Sequence, residues 1–246
     1  MRQEFFRQFD FYRSNWNGII GFFCKSATVL GIVILLESCS GGFNGRNVEE
    51  AGSGNPQPLL WETSQYGSPL WSKFVFKLIR QDLASEFLPG TDDIEEFCPR
   101  YRRLSDTGKA RFWSLLVSAI VKFESGFNPK TRFLEPGKKI DSITGQPVYS
   151  EGLLQLSYQD TKWAPFCQFD WVQDQQFSAS DGRKTILDPY KNLDCGIRIL
   201  ARQIKSTQKI AAESNKNYWA VLIPGGDNSK VSEIQGITRS SLECHQ

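Results

Sequence analysis

A chain of 246 residues with 40% hydrophobic content has enough apolar matter for one sizeable core plus tails. Twenty-nine basic and twenty-seven acidic residues leave a net charge of +2, which gives no overall basicity pointing to nucleic acid. With a lone histidine (His245) and no CxxC pair, Gly-rich phosphate loop or alternating βα pattern, neither Ser-His or Cys-His nucleophilic catalysis, a metal nor a nucleotide cofactor is expected.

From the start of the chain, Lys25 precedes residues 26–36, an uncharged run of eleven residues. That is too short to span a bilayer and suits the apolar region of a secretory signal. Leu36-Glu37-Ser38-Cys39 comes next. It resembles a bacterial lipoprotein box, in which the leader is cut before a Cys that receives lipid. Leu36 and Ser38 fit the box, and Glu37 departs from it. The other reading is an uncleaved anchor over 19–36, interrupted by Lys25; either one exports the remainder of the chain. Residues 40–66 are rich in Ser, Gly, Asn and Pro and read as a flexible tether. The expected division is a signal segment over 1–39, the tether over 40–66 and one domain over 67–246. An acylated Cys39 would hold that domain in the periplasm at the outer membrane.

The domain reads as mainly helical. Residues 71–87 alternate apolar and basic groups as an amphipathic helix, stopped at Leu88-Pro89-Gly90. Asp106 is the expected N-cap of a second helix that runs to Glu124. Over 112–123 that helix is apolar on almost every face, as befits a helix inside a core. Residues 130–150 form a polar loop whose Pro-Gly and Thr-Gly pairs suggest a short hairpin. A short helix is expected over 153–163, and residues 163–171 concentrate aromatics. Asp188 caps the next helix with Pro189 at its first position, and Leu193, Ile197, Leu200 and Ile204 give it a buried face. A last helical segment over 218–222 stops at Pro224-Gly225-Gly226. Setting aside Cys24 and Cys39, four cysteines remain: Cys98, Cys167, Cys195 and Cys244. In an exported domain they suggest two disulfides, with three pairings open.

Glu124 is the chemical centre of this pattern. Trp113, Val117 and Ile120 share its helical stripe, and Gly126 and Pro129 stop the helix just beyond it. Apolar walls and the negative end of the helix dipole both penalise its ionised form, so its pKa is expected to rise. A carboxylic acid kept protonated near neutral pH is the general acid that glycosidic cleavage requires.

Three blocks carry a family resemblance: Glu124-Ser125-Gly126-Phe127-Asn128-Pro129, then Gly152-Leu153-Leu154-Gln155, then Asp188-Pro189-x-x-Asn192-Leu193-x-x-Gly196-x-x-Ile199-Leu200. In this order, across residues 108–222, they resemble the lytic transglycosylase domain of the soluble-lytic-transglycosylase (SLT) type, a relative of goose-type lysozyme. The resemblance implies a mainly α, lysozyme-like fold with a short hairpin-like insertion. It also implies peptidoglycan glycan strands as substrate, cleaved between MurNAc and GlcNAc with formation of a 1,6-anhydro end. Glu124 would be both acid and base, because the substrate supplies its own C6 hydroxyl as nucleophile. Ser125, Gly152, Leu154, Gln155 and Tyr218 would form the substrate site, with Asp188 and Asn192 structural.

The sequence departs from the family at two places. The gap from Glu124 to Gly152 is long, and Trp219 stands where an Asn is expected beside Tyr218. These departures leave two rival readings. One is a muramidase of the same fold, with Glu151 as base. The other is a peptidoglycan-binding lipoprotein without turnover.

Overall fold

The computed structural model describes residues 57–137 and 139–245. The signal segment, Cys39 and most of the tether lie outside the described residues.

The fold is a mainly helical, lysozyme-like domain arranged around one long helix. Three short helices lead to it: α1 (Pro69–Lys77), α2 (Ala84–Phe87) and α3 (Ile94–Phe97). The long helix is α4 (Asp106–Ser125), and a two-stranded antiparallel hairpin comes after it, β1 (Arg132–Leu134) with β2 (Tyr149–Glu151). The chain then runs through α5 (Trp171–Asp174), α6 (Pro189–Thr207) and α7 (Val231–Arg239), with 3₁₀ turns between them.

Helix α4 is buried because its sequence offers almost no polar face. Phe112, Trp113, Leu116, Val117, Ala119, Ile120 and Val121 are all within about 1% of complete burial. It packs against α1, α2 and α7, and so forms the floor on which the rest is laid. The polar end of Trp113 is satisfied inside this core: its indole N–H donates to Phe87 O and Tyr101 Oη, both at 2.8 Å. The cap differs from expectation by one residue. Ser105, not Asp106, is the N-cap, with its Oγ accepting from Gly108 N, while Asp106 sits in the first turn. Ser105 has the extended backbone that a cap requires. At the other end Gly126 closes the helix in the left-handed region, φ 58°.

The expected helix over 71–87 is broken in the middle. A π turn occupies Leu78–Asp82, closed by Leu83 N donating to Leu78 O, before α2 begins. At about 100° per residue the apolar stripe would rotate away from the core over this length. The widened turn and the non-helical Leu83 offset that drift, and Phe87 is fully buried.

Two further corrections concern the ends of the domain. The ordered fold does not begin at residue 67. Trp61, within the stretch that reads as tether, is fully buried, donates its indole N–H to Ser72 Oγ at 2.9 Å and packs edge-on against Trp71. At the far end α7 has no counterpart among the expected helices. Ile234 and Thr238 turn it onto the core, and Thr238 Oγ1 donates to Phe97 O. The cysteines pair as Cys98–Cys244 and Cys167–Cys195, which selects one of the three open pairings.

Candidate active site

The end of α4 delivers Glu124 to the wall of a cleft of about 650 Å³. The next residues force a sharp reversal of the chain there. Gly126 and then Phe127 both take left-handed backbone, at φ 58° and 68°. For Phe127 this is a costly conformation, of a kind held in place only where surrounding structure over-determines it. Here Asn128 N and Thr131 Oγ1 both donate to Ser125 O, tying the turn and the start of β1 back to the helix end. Asn128 Oδ1 accepts from Lys130 N and completes the loop.

The second block forms the facing turn. Gly152 has φ 80°, and a Cβ there would lie 2.2 Å from Asn192 Nδ2, so only glycine fits. Asn192 is the pin beneath this turn. Its Oδ1 accepts from Leu154 N at 2.8 Å, and its Nδ2 donates to Glu151 O and Ile186 O. Gly196, one turn along α6, lets Leu154 settle against the helix, since a Cβ there would come 2.4 Å from Leu154 Cδ1. From above, Trp219 Nε1 donates to Leu154 O at 2.9 Å. Gln155 is thereby held in the left-handed region, φ 51°, with its Nε2 donating to Gly152 O and Thr131 O.

Of the site residues expected from sequence, the cleft brings together Glu124, Gln155 and Tyr218. Gly152, Leu154 and Ser125 lie behind it. Leu154 is 2% exposed, and the Ser125 hydroxyl donates into its own helix, to Val121 O. Tyr218 is oriented from below, its phenol donating to the buried Asp160 at 2.6 Å while its ring meets Trp163 and Trp219. Asp188 accepts from Tyr190 N and Lys191 N as the cap of α6. Asn192 holds the Gly152–Gln155 turn as well as its own helix. Trp219, which departs from the family pattern, is 1% exposed and acts as a strut of that turn.

The hairpin supplies the wall opposite α4, and it is the part least legible in the sequence. Its strands alternate with a period of two, as a pleated strand must. Phe133 on β1 and Ser150 on β2 line the cleft, together with Arg132 and the flanking Thr131, Glu135 and Val148. Phe133 stands directly opposite Ser150 in the ladder, and Ser150 Oγ donates to the Glu135 carboxylate. Tyr149 and Glu151 lie outside the cleft lining, and the Arg132 guanidinium lies 3.2 Å from the centre of the Tyr149 ring. The reading of Glu151 as a base is corrected by this geometry. Its side chain is 3% exposed, pairs with Lys184 at 2.5 Å and with Arg132 at 3.5 Å, and points away from the cleft. Two other carboxylates share the cleft lining with Glu124: Glu135 on the hairpin side and Asp227. Alternation along 131–135 is the available sequence signal for Glu135.

Behind the Glu151–Lys184 pair, a buried carboxylate fixes the loop that brings Lys184 in. Asp174 accepts from Tyr158 Oη and from Thr185 N and Oγ1. Burial, together with the Asp174 carboxylate on its hydroxyl, pushes the Tyr158 phenol well above its ordinary value.

Known proteins share this architecture. Residues 105–223 match the family described as the transglycosylase SLT domain. Solved structures of DslA resemble it closely enough to share its fold: the wild-type protein (form 2) at a TM-score of 0.64 and 28% identity, over 78% of this chain and all of that one. Two DslA variants, each with one Glu replaced by Gln, superpose with TM-scores of 0.62 and 0.64 at 27% and 28% identity, with the same coverage. The two glutamates replaced in DslA stand eleven positions apart, the separation of Glu124 and Glu135 here. No curated protein shows a significant match to the chain.

Proposed function

We propose that the protein is a peptidoglycan lytic transglycosylase that cleaves the MurNAc-β-1,4-GlcNAc bond, with Glu124 as its acid and base. The observation that carries this reading is the cleft in which Glu124, on the rim of a buried helix, meets Gln155 and Tyr218. In the first step Glu124 gives its proton to the glycosidic oxygen, and the bond from that oxygen to C1 of MurNAc breaks. The resulting carboxylate then takes the proton of the C6 hydroxyl as O6 bonds to C1. Glu124 ends protonated, as it began, and no water is consumed. Gln155 and Tyr218 would position the sugars. The leader and Cys39 support export and lipid attachment at the outer membrane as the setting.

One observation favours a second reading. Glu135 lines the same cleft, and a paired carboxylate is what hydrolysis by water requires. In that case Glu135 would activate a water and the product would carry a reducing end.

The test is mass spectrometry of fragments released from purified sacculi by the wild type and by Glu124→Gln and Glu135→Gln variants. The expected result is anhydro-muropeptides from the wild type and from Glu135→Gln, with none from Glu124→Gln. Reducing-end fragments that need both glutamates would establish the hydrolase instead. Binding to sacculi without release by the wild type would leave a wall-binding lipoprotein.

A further inference from the structure

The cleft face of the hairpin carries a side chain that neither the family blocks nor the acid chemistry uses. Phe133 is 57% exposed, which leaves much of an apolar ring in contact with water. It lies in the wall of the same cleft as Glu124, directly across the ladder from Ser150, with the Glu135 carboxylate two residues along on the same face. The strand that presents it is fixed from behind. Arg132 and Glu151 face each other across the ladder, and Glu151 is paired with the buried Lys184, so the reverse face of the hairpin is tied to the loop before α6. At the tip, Asp141 accepts from Ile143 N and Thr144 N with one oxygen and from Gln159 N with the other, anchoring the hairpin to the turn over Tyr158–Lys162.

A firmly held aromatic face, flanked by a hydroxyl and a carboxylate inside a cleft, has a definite chemical complement. A pyranose ring in a β-1,4-linked strand presents an apolar face of C–H groups and a rim of hydroxyl and amide donors. The ring of Phe133 matches the first, and the carboxylate of Glu135 accepts from the second. The geometry points to Phe133 as the stacking platform of a sugar subsite on the hairpin wall, with Glu135 holding the rim of the same sugar. This rests on the proposed action on glycan strands and adds the residue that grips one of their rings.

The experiment is co-sedimentation of the Glu124→Gln protein with purified sacculi, which the variant is expected to bind without cutting. A Phe133→Ala substitution in that background is expected to weaken binding about tenfold, and Phe133→Trp to preserve or strengthen it. Leu134→Ala is the control. Leu134 is 52% exposed on the adjacent position and opposite face of the strand, and its removal should leave binding unchanged. Both positions are exposed, and none of the three substitutions alters charge. Equal binding by Phe133→Ala and its parent overturns the subsite alone, as does an equal loss in Leu134→Ala. No binding by the parent, with sacculi left intact by the wild type, overturns the functional reading and the subsite together.

Discussion

Every polar atom of the Asn192 side chain meets backbone: two carbonyls accept from its amide and one N–H donates to its oxygen. A single residue of α6 therefore sets the position of the turn that carries Gln155. Gly152 is the counterpart of this arrangement, because the space its missing Cβ leaves is the space the Asn192 amide fills. Gly152→Ala is accordingly expected to destabilise the domain by at least about 2 kcal/mol, through both the clash and the positive φ. Thermal unfolding would register it, and an unchanged midpoint would mean that the turn relaxes freely. At this scale much is legible in the sequence. Glu124 stands in a short motif with Gly126, and Gly126 and Gly152 are called for by their positive φ. Trp219 and Glu135 are not legible in this way, since one works through a contact 65 residues away and the other stands just beyond a strand only three residues long.

The hairpin behaves as an element because its reverse face is anchored by a buried ion pair. Such a pair is poor evidence of net stability, yet removing one partner leaves a charge with nowhere to go. Glu151→Gln should therefore cost about 3–5 kcal/mol by stranding the Lys184 ammonium. The double replacement Glu151→Leu with Lys184→Met should recover much of that loss. Urea denaturation of the wild type and the two variants tests the idea; equal midpoints for the single and double variants would contradict it. The existence of the hairpin is readable from its turn residues. Its inward and outward faces are not, because a three-residue strand gives too short an alternation to declare which side is buried. Helix α6 is readable almost to the residue, since cap, Pro189 and apolar stripe all agree. The break in the 71–87 helix is hidden, as no proline or glycine marks a π turn.

On the scale of the molecule, two covalent links close the fold. Cys98–Cys244 spans 146 positions and Cys167–Cys195 spans 28. Loop-closure entropy gives the wider link about 5 kcal/mol and the narrower about 3.5 kcal/mol. Replacing Cys98 and Cys244 together by Ser should therefore lower the denaturation midpoint more than replacing Cys167 and Cys195. The reverse order would show that the local packing around each bridge outweighs its span. Neither the pairing nor α7 is readable from sequence, because both depend on which distant segments meet. The burial of Trp61 escapes the sequence for a related reason: a single Trp inside a Pro- and Gly-rich stretch looks like linker until its pocket is known.

The wider bridge has one more consequence, for a chain that meets a protease. The hairpin tip near Gly145 projects exposed side chains and is a natural place for a cut. Such a cut falls between Cys98 and Cys244, so the two fragments stay joined by sulfur while the tip hydrogen bonds of Asp141 hold the wall in place. A nicked molecule would migrate as one chain without thiol and as two with it, heavier than the intact protein by a single water.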